Sequence, residues 1–384
     1  MINRTLTEKL KYMVSKFPAV AVTGPRQSGK TTLLKMTFPE MTYVSLENPD
    51  RRAFAIDDPR SFLKTYNNNV IFDEVQRVPK LFSYLQEEID NKKGKFILSG
   101  SQNFLLHQQI SQSLAGRVAI LKLLPFSFEE LKNSDIIYDN YEDYIFNGFY
   151  PRIYDLQLNP SDWYPNYIQT YLEKDVRNIK NIKDLHKFQS FLKLVAGRVG
   201  QIINFNSLAN DLALTIPTIK DWLSILEASY IIYLLKPHHK NHNKRVIKMP
   251  KLYFYDTGLA ASLLGIEFKE QISTHYLKGA LFENLIISEM IKSRFNHGKE
   301  SNLYFWRDKT GHELDIIAEY LNELHTFELK SSKTITPSFF KGIKYYDKIS
   351  KTINKSYLIY GGEQKEIRGN TTVIPWSKLN DINN

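Results

Sequence analysis

The chain has 384 residues, of which 42% are hydrophobic and 24% charged, and this composition excludes global disorder. It contains no cysteine, which excludes disulfide scaffolds, thiolate zinc sites and cysteine nucleophiles. The net charge of +10 permits a polyanionic partner but does not require one. No stretch reaches the about 18 uncharged apolar residues of a membrane span, and no signal peptide is recognised. The length suggests two or three domains, so we expect a multi-domain protein of the reducing cytoplasm, without a membrane segment.

The first 150 residues alternate short apolar runs with polar stretches of helical pattern. The runs are residues 19–23, 43–46, 70–72, 96–98 and 118–121. Several of them are continuous rather than alternating, which is typical of parallel strands that are buried on both faces. Helix-compatible segments such as residues 81–91 lie between the runs. Residues 1–150 are therefore predicted to form an α/β domain with a parallel sheet.

Directly after the first apolar run comes a complete phosphate-loop motif. Residues 24–31, which we call the phosphate loop, read GPRQSGKT and fit G-x-x-x-x-G-K-[ST] between a strand and a helix start. The two glycines allow a tight turn whose backbone N–H groups face a phosphate at a helix N-terminus. Lys30 is predicted to reach the β- and γ-phosphates, and the Thr31 hydroxyl to ligate Mg²⁺. The predicted nucleotide-binding residues are Gly24, Pro25, Arg26, Gln27, Ser28, Gly29, Lys30, Thr31 and Thr32.

Residues in three later segments are predicted to complete an ATPase site. Residues 69–74 read NVIFDE, an apolar strand that ends in Asp73, which would hold Mg²⁺ through a water, and Glu74, a general base for water. The run at 96–98 ends in small polar residues, of which Ser101, with Gln102 as the alternative, would touch the γ-phosphate or the water. A plain strand-to-loop turn is the competing interpretation there. Arg117 precedes the next strand. One interpretation is an arginine finger that acts in its own or a neighbouring subunit, and the other is a surface or structural arginine.

These motifs resemble a family of AAA-type ATPases of bacteria and archaea in which a P-loop domain precedes a second conserved domain. The resemblance rests on TGPRQSGKTTLL, IFDEVQRVPKL, ILSGSQN and SLAGRV, and it continues through NGFYPR, YLEKDVR and PKLYFYDTGLAASLLG. It therefore covers nearly the whole chain, with several motifs in the expected order. It implies ATP binding, a P-loop fold with an additional strand and a cytoplasmic location, and it leaves the physiological substrate open.

Residues 151–270 are predicted to be mainly helical. Residues 205–212 and 216–223 read as two helices around a turn, with apolar positions at Leu208, Leu212, Ile219, Leu223 and Leu226. A hairpin would follow and make a winged helix, whose tip carries Lys236, Lys240, Lys244, Arg245, Lys248 and Lys251. Contact with the phosphates of DNA is one interpretation of this basic loop, and a solvated charge run or a domain contact is the other. No metal site is expected at His238, His239 and His242, because no carboxylate or cysteine accompanies them.

The last third of the chain contains a second group of candidate site residues. Glu283 lies on an amphipathic helix, Asp315 on a strand, and Glu328 and Lys330 on the next strand. Side chains alternate along a strand, so Glu328 and Lys330 share one face. If the two strands pair, Asp315 lies near Glu328, and two carboxylates can bind one Mg²⁺. Lys330 would then activate a water or stabilise negative charge.

The order helix-Glu, strand-Asp, strand-Glu-x-Lys, helix and strand resembles the PD-(D/E)xK nuclease superfamily. In that resemblance Glu283, Asp315, Glu328 and Lys330 fall on the motif positions, while Leu314 stands where the family usually has proline. Glu-x-Lys occurs elsewhere in this chain, so the apolar, strand-like setting rather than the motif carries the resemblance. It leaves two interpretations, a nuclease and an ion-pair network in a nuclease-like fold that no longer cuts.

The sequence as a whole predicts an α/β protein of three parts. They are a P-loop ATPase domain at 1–150, a helical, winged-helix-like region at 151–270 and a nuclease-like α/β domain at 271–384. ATP and Mg²⁺ are the expected cofactors, and hydrolysis would change contacts between the ATPase domain and the helical region, with the nuclease-like domain as effector. The competing interpretations are an ATP-regulated binding or scaffold protein with an inactive nuclease-like domain, and an ATP-gated nuclease. DNA or another nucleic acid and further copies of the chain are the predicted partners.

Overall fold

A computed structural model describes residues 2–91, 94–101, 113–176, 184–238, 248–321, 323–350 and 354–382. The strands of these residues form sheets of five, two and six strands. None of the helices in these ranges is long and apolar enough to cross a membrane. The α/β fold class predicted from the sequence is confirmed, with a parallel sheet first, helices in the middle and a mixed sheet last.

The amino-terminal sheet is formed by the five predicted apolar runs. Its strands are β1 (Ala19–Thr23), β2 (Thr42–Ser45), β3 (Val70–Asp73), β4 (Phe96–Gly100) and β5 (Val118–Lys122). The helices around it are α1 (Leu6–Lys16), α2 (Lys30–Thr37), α3 (Pro49–Asp57), α4 (Pro59–Thr65) and α5 (Leu81–Asp90). β1, β3 and β4 are buried along their whole length, as expected where helices cover both faces of a parallel sheet.

The order of the strands places the polar ends of three of them side by side. The sheet has the order β2-β3-β4-β1-β5 and is parallel throughout. β4 therefore lies between β1, which leads into the phosphate loop, and β3, which ends in Asp73. Thr23 pairs with Gly100, and Asp73 pairs with Ser99. The carboxyl edge of a sheet with this order is where α/β proteins bind ligands.

The middle of the chain is helical, as predicted. Its helices are α6 (Phe128–Lys132), α7 (Tyr141–Asn147), α8 (Pro151–Asp155), α9 (Pro160–Tyr167), α10 (Leu185–Ala196), α11 (Phe205–Leu212), α12 (Ile216–Ala228), α13 (Thr257–Leu263) and α14 (Glu270–Thr274). A π-helical segment, Ile168–Val176, continues α9. α12 begins where the sequence predicts a helix start, because Thr215 caps it and Pro217 lies in its first turn.

A two-stranded hairpin follows α12. It consists of β6 (Ile232–Leu235) and β7 (Lys251–Phe254), which pair antiparallel. The predicted hairpin is therefore present, and its role as the wing of a winged helix stays a prediction. Lys240, Lys244 and Arg245 of its predicted tip lie outside the described residues.

The carboxyl-terminal part contains a mixed six-stranded sheet. Its elements are α15 (Lys278–Asn296), β8 (Leu303–Arg307), β9 (Glu313–Tyr320), β10 (Glu323–Lys330), α16 (Lys341–Ile349), β11 (Asn354–Tyr360), β12 (Glu366–Arg368) and β13 (Thr371–Pro375). The order is β12-β13-β11-β10-β9-β8, with β8, β9 and β10 antiparallel and β10 and β11 parallel. From about residue 275 the sequence pattern predicts a helix, three strands, a second helix and two further strands, whereas the structure has three strands after the second helix. The missed strand, β12, has three residues and a pattern too short to recognise.

One apolar core joins the middle of the chain to its last third. Its buried members include Phe191 of α10, Leu226 of α12, Leu285 of α15 and Phe327 of β10. Two further cores cover the two faces of the amino-terminal sheet. The boundaries near 150 and 270 stay predictions, and the core that spans residue 270 indicates that the second and third parts pack as a unit.

Candidate functional site

The backbone of the phosphate loop requires both of its glycines. Gly24 has φ +154° and Gly29 has φ +89°, values that only glycine adopts readily. A Cβ on Gly24 would stand 2.0 Å from the carbonyl oxygen of Leu123. Gly29 is the N-cap of α2, so the loop ends on a helix N-terminus. The loop thus has the geometry that the motif predicts for binding an anion.

The Lys30 ammonium lies inside this loop. Its Nζ donates to the carbonyl oxygens of Gly24 and Pro25 at 2.9 and 2.8 Å. Burial lowers the pKa of Lys30 to about 8, against the opposing attraction of Glu74 and Asp73. Within the described residues, the buried Ser28 hydroxyl has no hydrogen-bond partner. A buried cation and an unpaired hydroxyl in one loop fit a phosphate group, whose oxygens would accept hydrogen bonds from both.

Asp73 and Thr31, the two predicted metal ligands, are in contact. Thr31 Oγ1 donates to Asp73 Oδ2 at 2.9 Å. Two hydroxyls that the sequence did not identify also donate to this carboxylate, Tyr43 to Oδ2 at 2.6 Å and Ser99 to Oδ1 at 2.5 Å. They arrive from β2 and β4, the neighbours of β3 in the sheet. The oxygens of Thr31 and Asp73 are ligands of the kind that Mg²⁺ prefers.

Glu74 has an unusual backbone for a residue with a side chain. Its φ is +54°, a left-handed conformation that in non-glycine residues is often found at functional sites. Glu74 Oε2 accepts a hydrogen bond from Ser101 Oγ at 3.1 Å and another from Gln76 Nε2. The structure therefore brings together the predicted residues Glu74 and Ser101, and it adds Gln76. The alternative to Ser101, Gln102, lies outside the described residues.

Arg117 lies far from these groups. It precedes β5, whose first residue, Val118, pairs with Ala19 at the start of β1, whereas the phosphate loop follows the end of β1. The guanidinium binds Asp90 on the surface, with N–O distances of 2.6 and 3.0 Å. The expectation that Arg117 serves the phosphate loop of its own chain is therefore wrong, because β1 separates them. A role toward a neighbouring subunit stays a prediction.

The helical region contacts the phosphate loop from the side. Tyr167 at the end of α9 donates its hydroxyl hydrogen to the carbonyl oxygen of Arg26 at 3.3 Å. The Arg26 guanidinium lies 5.7 Å from the ring centroid of Tyr171 and 3.6 Å from Glu47 Oε1. Gln27 in the same loop has a left-handed φ of +61°. Contacts of this kind connect the loop to the helices beside it.

A cavity of about 250 Å³ opens beside the phosphate loop. The segment before α1, the helix α2 and the helix α8 form its walls. Apolar groups come from Ile2, Leu33, Met36, Phe126 and Pro151, and polar groups from Asn3, Arg4, Thr32 and Asp155. A small pocket with apolar walls and a few polar groups is typical of ligand sites.

The carboxyl-terminal candidates meet in two groups. Lys330 Nζ lies 3.2 Å from Asp315 Oδ2 and 3.1 Å from Glu328 Oε1. The register Phe327 to Ile316 places Glu328 opposite Asp315, as the predicted strand pairing requires. Burial, with the Asp315 charge adding to it, raises the pKa of Glu328 to about 8.

Glu283 has a different partner. Lys251 Nζ lies 3.0 Å from Glu283 Oε1 and also pairs with Glu313, and the Tyr253 hydroxyl donates to Glu283. Lys251 is only 3% exposed, so it is not part of a solvated charge run, and its ion pairs are those of a domain contact, the alternative that the sequence leaves open. A lysine at the start of a strand gives no local sign of such partners. We call Lys251, Glu283, Glu313, Asp315, Glu328 and Lys330 the carboxyl-terminal cluster.

Each of the four carboxylates of this cluster contacts one of its two lysine ammonium groups. In the described part of the chain, no group of three or more His, Cys, Asp or Glu side chains is arranged to hold a metal ion. Of the histidines near the wing, His238 is buried and its Nε2 lies 3.0 Å from Glu319 Oε1. His239 and His242 lie outside the described residues.

Three family models match successive parts of the chain. A model described as an AAA domain matches residues 16–132. Two models described as domains of unknown function, DUF8612 and DUF4143, match residues 138–270 and 278–379.

Relatives that align with this chain over most of their own length occur in bacteria and archaea. An uncharacterized protein of Mycobacterium tuberculosis is 28% identical over 378 residues, which cover 97% of this chain and 82% of the relative. An uncharacterized protein of Methanocaldococcus jannaschii is 24% identical over 348 residues, covering 83% and 75% of the two chains. Among solved structures, the Walker-type ATPase of Pyrococcus abyssi is similar at a TM-score of 0.46 and 16% identity, over 67% of this chain and 94% of that one. The AAA match coincides with the parallel sheet and its phosphate loop, so residues 16–132 are similar to an AAA domain and have the parallel α/β fold of a P-loop domain.

Proposed function

We propose that the protein binds ATP and hydrolyses it to ADP and phosphate at the carboxyl edge of the amino-terminal sheet. The observation that carries this proposal is the meeting of Thr31, Asp73 and Glu74 beside the buried ammonium of Lys30. The match of the sequence of residues 16–132 to an AAA domain also supports this proposal.

The phosphate loop and the neighbouring cavity would hold the nucleotide. Backbone N–H groups of the loop, the ammonium of Lys30 and the hydroxyl of Ser28 offer donors and positive charge for phosphate oxygens. The apolar walls of the cavity, such as Met36 and Phe126, suit the faces of a base. Asn3 and Asp155 offer polar groups to its edges or to the ribose.

Thr31 and Asp73 are the residues that would hold Mg²⁺. Bound there, Mg²⁺ would neutralise charge on the phosphate oxygens. Tyr43 and Ser99 hold the Asp73 carboxylate in place through their hydroxyls. Asp73 is thus oriented by hydrogen-bond donors on both sides, as is usual for a carboxylate that binds a metal ion.

Glu74 is the proposed general base. A water oxygen would attack the γ-phosphorus, the bond from phosphorus to the oxygen of ADP would break, and Glu74 would take the proton of the water. Ser101 and Gln76 bind Glu74 Oε2 and orient the carboxylate. Lys30 would stay on the phosphate oxygens while charge builds up there.

Binding and hydrolysis can be tested separately with two variants. Lys30→Ala should lose ATP affinity, measured by titration with a fluorescent ATP analogue. Glu74→Gln should keep affinity but hydrolyse ATP at least about 100-fold more slowly in a phosphate-release assay, because it lacks the base. The exposed Lys16→Ala serves as the control and should behave like wild type. Wild-type protein that releases no phosphate, or Lys30→Ala with unchanged affinity, would contradict the proposal.

We infer that the carboxyl-terminal cluster is an ion-pair network that holds β7, α15, β9 and β10 together, which we call a structural joint, rather than a nuclease site. Its carboxylates are paired with Lys251 and Lys330, and a joint of this kind needs no metal. A Mg²⁺-dependent nuclease is the second candidate, because Asp315, Glu328 and Lys330 meet as the PD-(D/E)xK resemblance implies.

Nucleic-acid binding stays a prediction. The described exposed charges on α12, the second of the two helices around the predicted turn, are Lys220, Asp221 and Glu227, which together are not basic. Affinity for a nucleic acid would have to come from other surfaces, because phosphate contacts need clustered Lys or Arg. A homo-oligomer also stays a prediction.

A further inference from the structure

Arg4 precedes α1 and belongs to no recognised motif, yet its side chain ends on the phosphate loop. The residue is only 9% exposed. Its Nη1 donates to the carbonyl oxygen of Ser28 at 2.7 Å, and its Nη2 donates to that of Leu124 at 2.6 Å. Its Nε binds Glu130 Oε1 at 3.0 Å. One buried guanidinium thus connects the start of the chain, the phosphate loop and the segment after β5.

The bond to Ser28 determines the direction of a backbone N–H group in the loop. The peptide unit between Ser28 and Gly29 is planar and trans, so its C=O and N–H bonds point in opposite directions. Because Arg4 holds the carbonyl oxygen, the N–H of Gly29 points away from Arg4. Gly29 is free of a Cβ that would oppose a flip of this peptide, and a flip would turn a carbonyl oxygen toward the phosphate position.

The guanidinium is itself held in one position. Glu130 accepts hydrogen bonds from Arg4 and from the backbone N–H groups of Thr5 and Ser127. The ring of Phe126 lies 4.9 Å from the guanidinium carbon. Arg4 also borders the cavity beside the loop, together with Gly29. Its planar fork can serve two carbonyl oxygens and a carboxylate at once, which a lysine ammonium cannot do in the same geometry.

We propose that Arg4 is a positioning residue for nucleotide binding, which orients the peptide between Ser28 and Gly29 toward the phosphates. This inference rests on the proposed ATP site. It assigns to Arg4 no contact with the phosphates and no proton transfer. The effect of losing Arg4 should therefore appear in nucleotide affinity, while the rate of hydrolysis at saturating ATP changes little.

The test compares, in the full chain, variants of the buried Arg4 and of the partly buried Arg198, both of which make several hydrogen bonds. Arg4→Ala removes the guanidinium, and Arg4→Lys keeps the charge without the fork. Arg198→Ala is the matched control, since Arg198 binds Leu194 O, Ser207 and Asp211 through three hydrogen bonds but lies in the helical region. Affinity for a fluorescent ATP analogue, KM and kcat are measured for each, and Arg4→Ala is also titrated with methylguanidinium.

Arg4→Ala should bind ATP about 10- to 100-fold more weakly, because the N–H of Gly29 would no longer be held toward the phosphates. A hydrogen bond to a charged group usually contributes this much. Arg4→Lys should recover part of that loss, and Arg198→Ala should bind like wild type. Methylguanidinium should restore affinity to Arg4→Ala and leave Lys30→Ala unchanged. Chemical rescue would separate positioning from general damage to the fold.

Two results would overturn the inference while leaving the ATP site intact. One is wild-type affinity in both Arg4 variants. The other is a fall in kcat at unchanged KM, which would place Arg4 in the chemical step. If wild-type protein and Lys30→Ala bind the ATP analogue equally, the proposed function itself fails, so the two failures are distinguishable.

Discussion

Lys30 shows how a single residue can favour function at a cost in stability. Its ammonium is enclosed by the loop, and burial disfavours the charged form, which lowers its pKa from 10.5 to about 8. Below that pH the folded protein carries a buried charge that water would solvate better in the unfolded chain. Residues kept for binding a charged ligand commonly have this cost.

The sign of the resulting pH dependence follows from proton binding. Between pH 8 and 10.5 the unfolded chain keeps the proton of Lys30 that the folded chain has lost. The contribution of Lys30 to the free energy of unfolding therefore rises with pH across this window. Lys30→Met buries no charge, so at pH 7 its free energy of unfolding should exceed that of wild type by about 1–2 kcal/mol, with a correspondingly higher unfolding temperature. This difference in free energy should narrow from pH 8 to 10.5.

Thermal unfolding without nucleotide, measured at several pH values, checks this. The exposed Lys220→Met should differ from wild type by less than about 0.5 kcal/mol at every pH. ATP should raise the unfolding temperature of wild type and not of Lys30→Met. A gap between Lys30→Met and wild type that widens as the pH rises would refute the argument.

At the scale of elements, α13 depends on a buried aromatic contact. Asp256 caps this helix and accepts hydrogen bonds from the backbone N–H of Leu259 at 2.8 Å and from the Tyr164 hydroxyl at 2.7 Å. Burial raises the pKa of Asp256. The Tyr164 ring lies directly against Gly258, the second residue of the helix, so that α9 and α13 approach closely.

Gly258→Ala should destabilise the protein by about 1–3 kcal/mol through overpacking. A Cβ at this position would stand 2.4 Å from Tyr164 Oη and 2.5 Å from two ring carbons. The matched change is Gly279→Ala, because Gly279 is also the second residue of a helix but has nothing within 4 Å of the added carbon. It should raise stability by up to about 1 kcal/mol.

Urea denaturation midpoints measure both variants. Gly258→Ala with a midpoint at or above that of Gly279→Ala would show that α9 and α13 can separate at no cost. In that case the close approach would not determine how these helices pack.

At the scale of the whole molecule, Lys251 connects the hairpin β6–β7 to the last third of the chain. Its ammonium pairs with Glu283 on α15 and Glu313 on β9. Burial raises the pKa of Glu283, and the neighbouring Asp315 charge adds to this. A buried carboxylate of this kind is costly when its partner is removed.

Lys251→Met should therefore lower the free energy of unfolding by about 3–5 kcal/mol. The double variant Lys251→Met/Glu283→Gln should recover most of the loss, since no charge is left unpaired between them. Lys269→Met is the control, because its exposed pair with Asp143 should contribute less than about 1 kcal/mol. Chemical denaturation of wild type, the single variants Lys251→Met and Glu283→Gln and the double variant gives the coupling energy between the two residues.

The proposal of a structural joint would fall if Lys251→Met were as stable as the control. It would also fall if wild-type protein cut DNA or RNA with Mg²⁺ or Mn²⁺ and Asp315→Ala did not. The same assays would then favour the nuclease as the function of the carboxyl-terminal cluster.

Much of the fold and part of the site could be predicted because their signals are local. The five runs of the parallel sheet are continuous and apolar, since both faces of such a sheet are covered. The phosphate loop was recognised because its glycines, Lys30 and Thr31 are contiguous and each meets a requirement of phosphate binding. The sequence does not predict β12, because a strand of three residues is too short to show an alternating pattern of apolar and polar side chains.

Local patterns identify the groups whose chemistry lies in one segment, which are the phosphate loop, the acidic end of β3 and the Glu-x-Lys of β10. Only the folded chain shows which distant groups join them. Arg4 reaches Ser28, Tyr43 and Ser99 reach Asp73, and Lys251 enters the carboxyl-terminal cluster. It also separated Arg117 from the phosphate loop of its own chain. The reason is physical, because contacts between remote residues depend on strand order and helix packing, which no local pattern encodes.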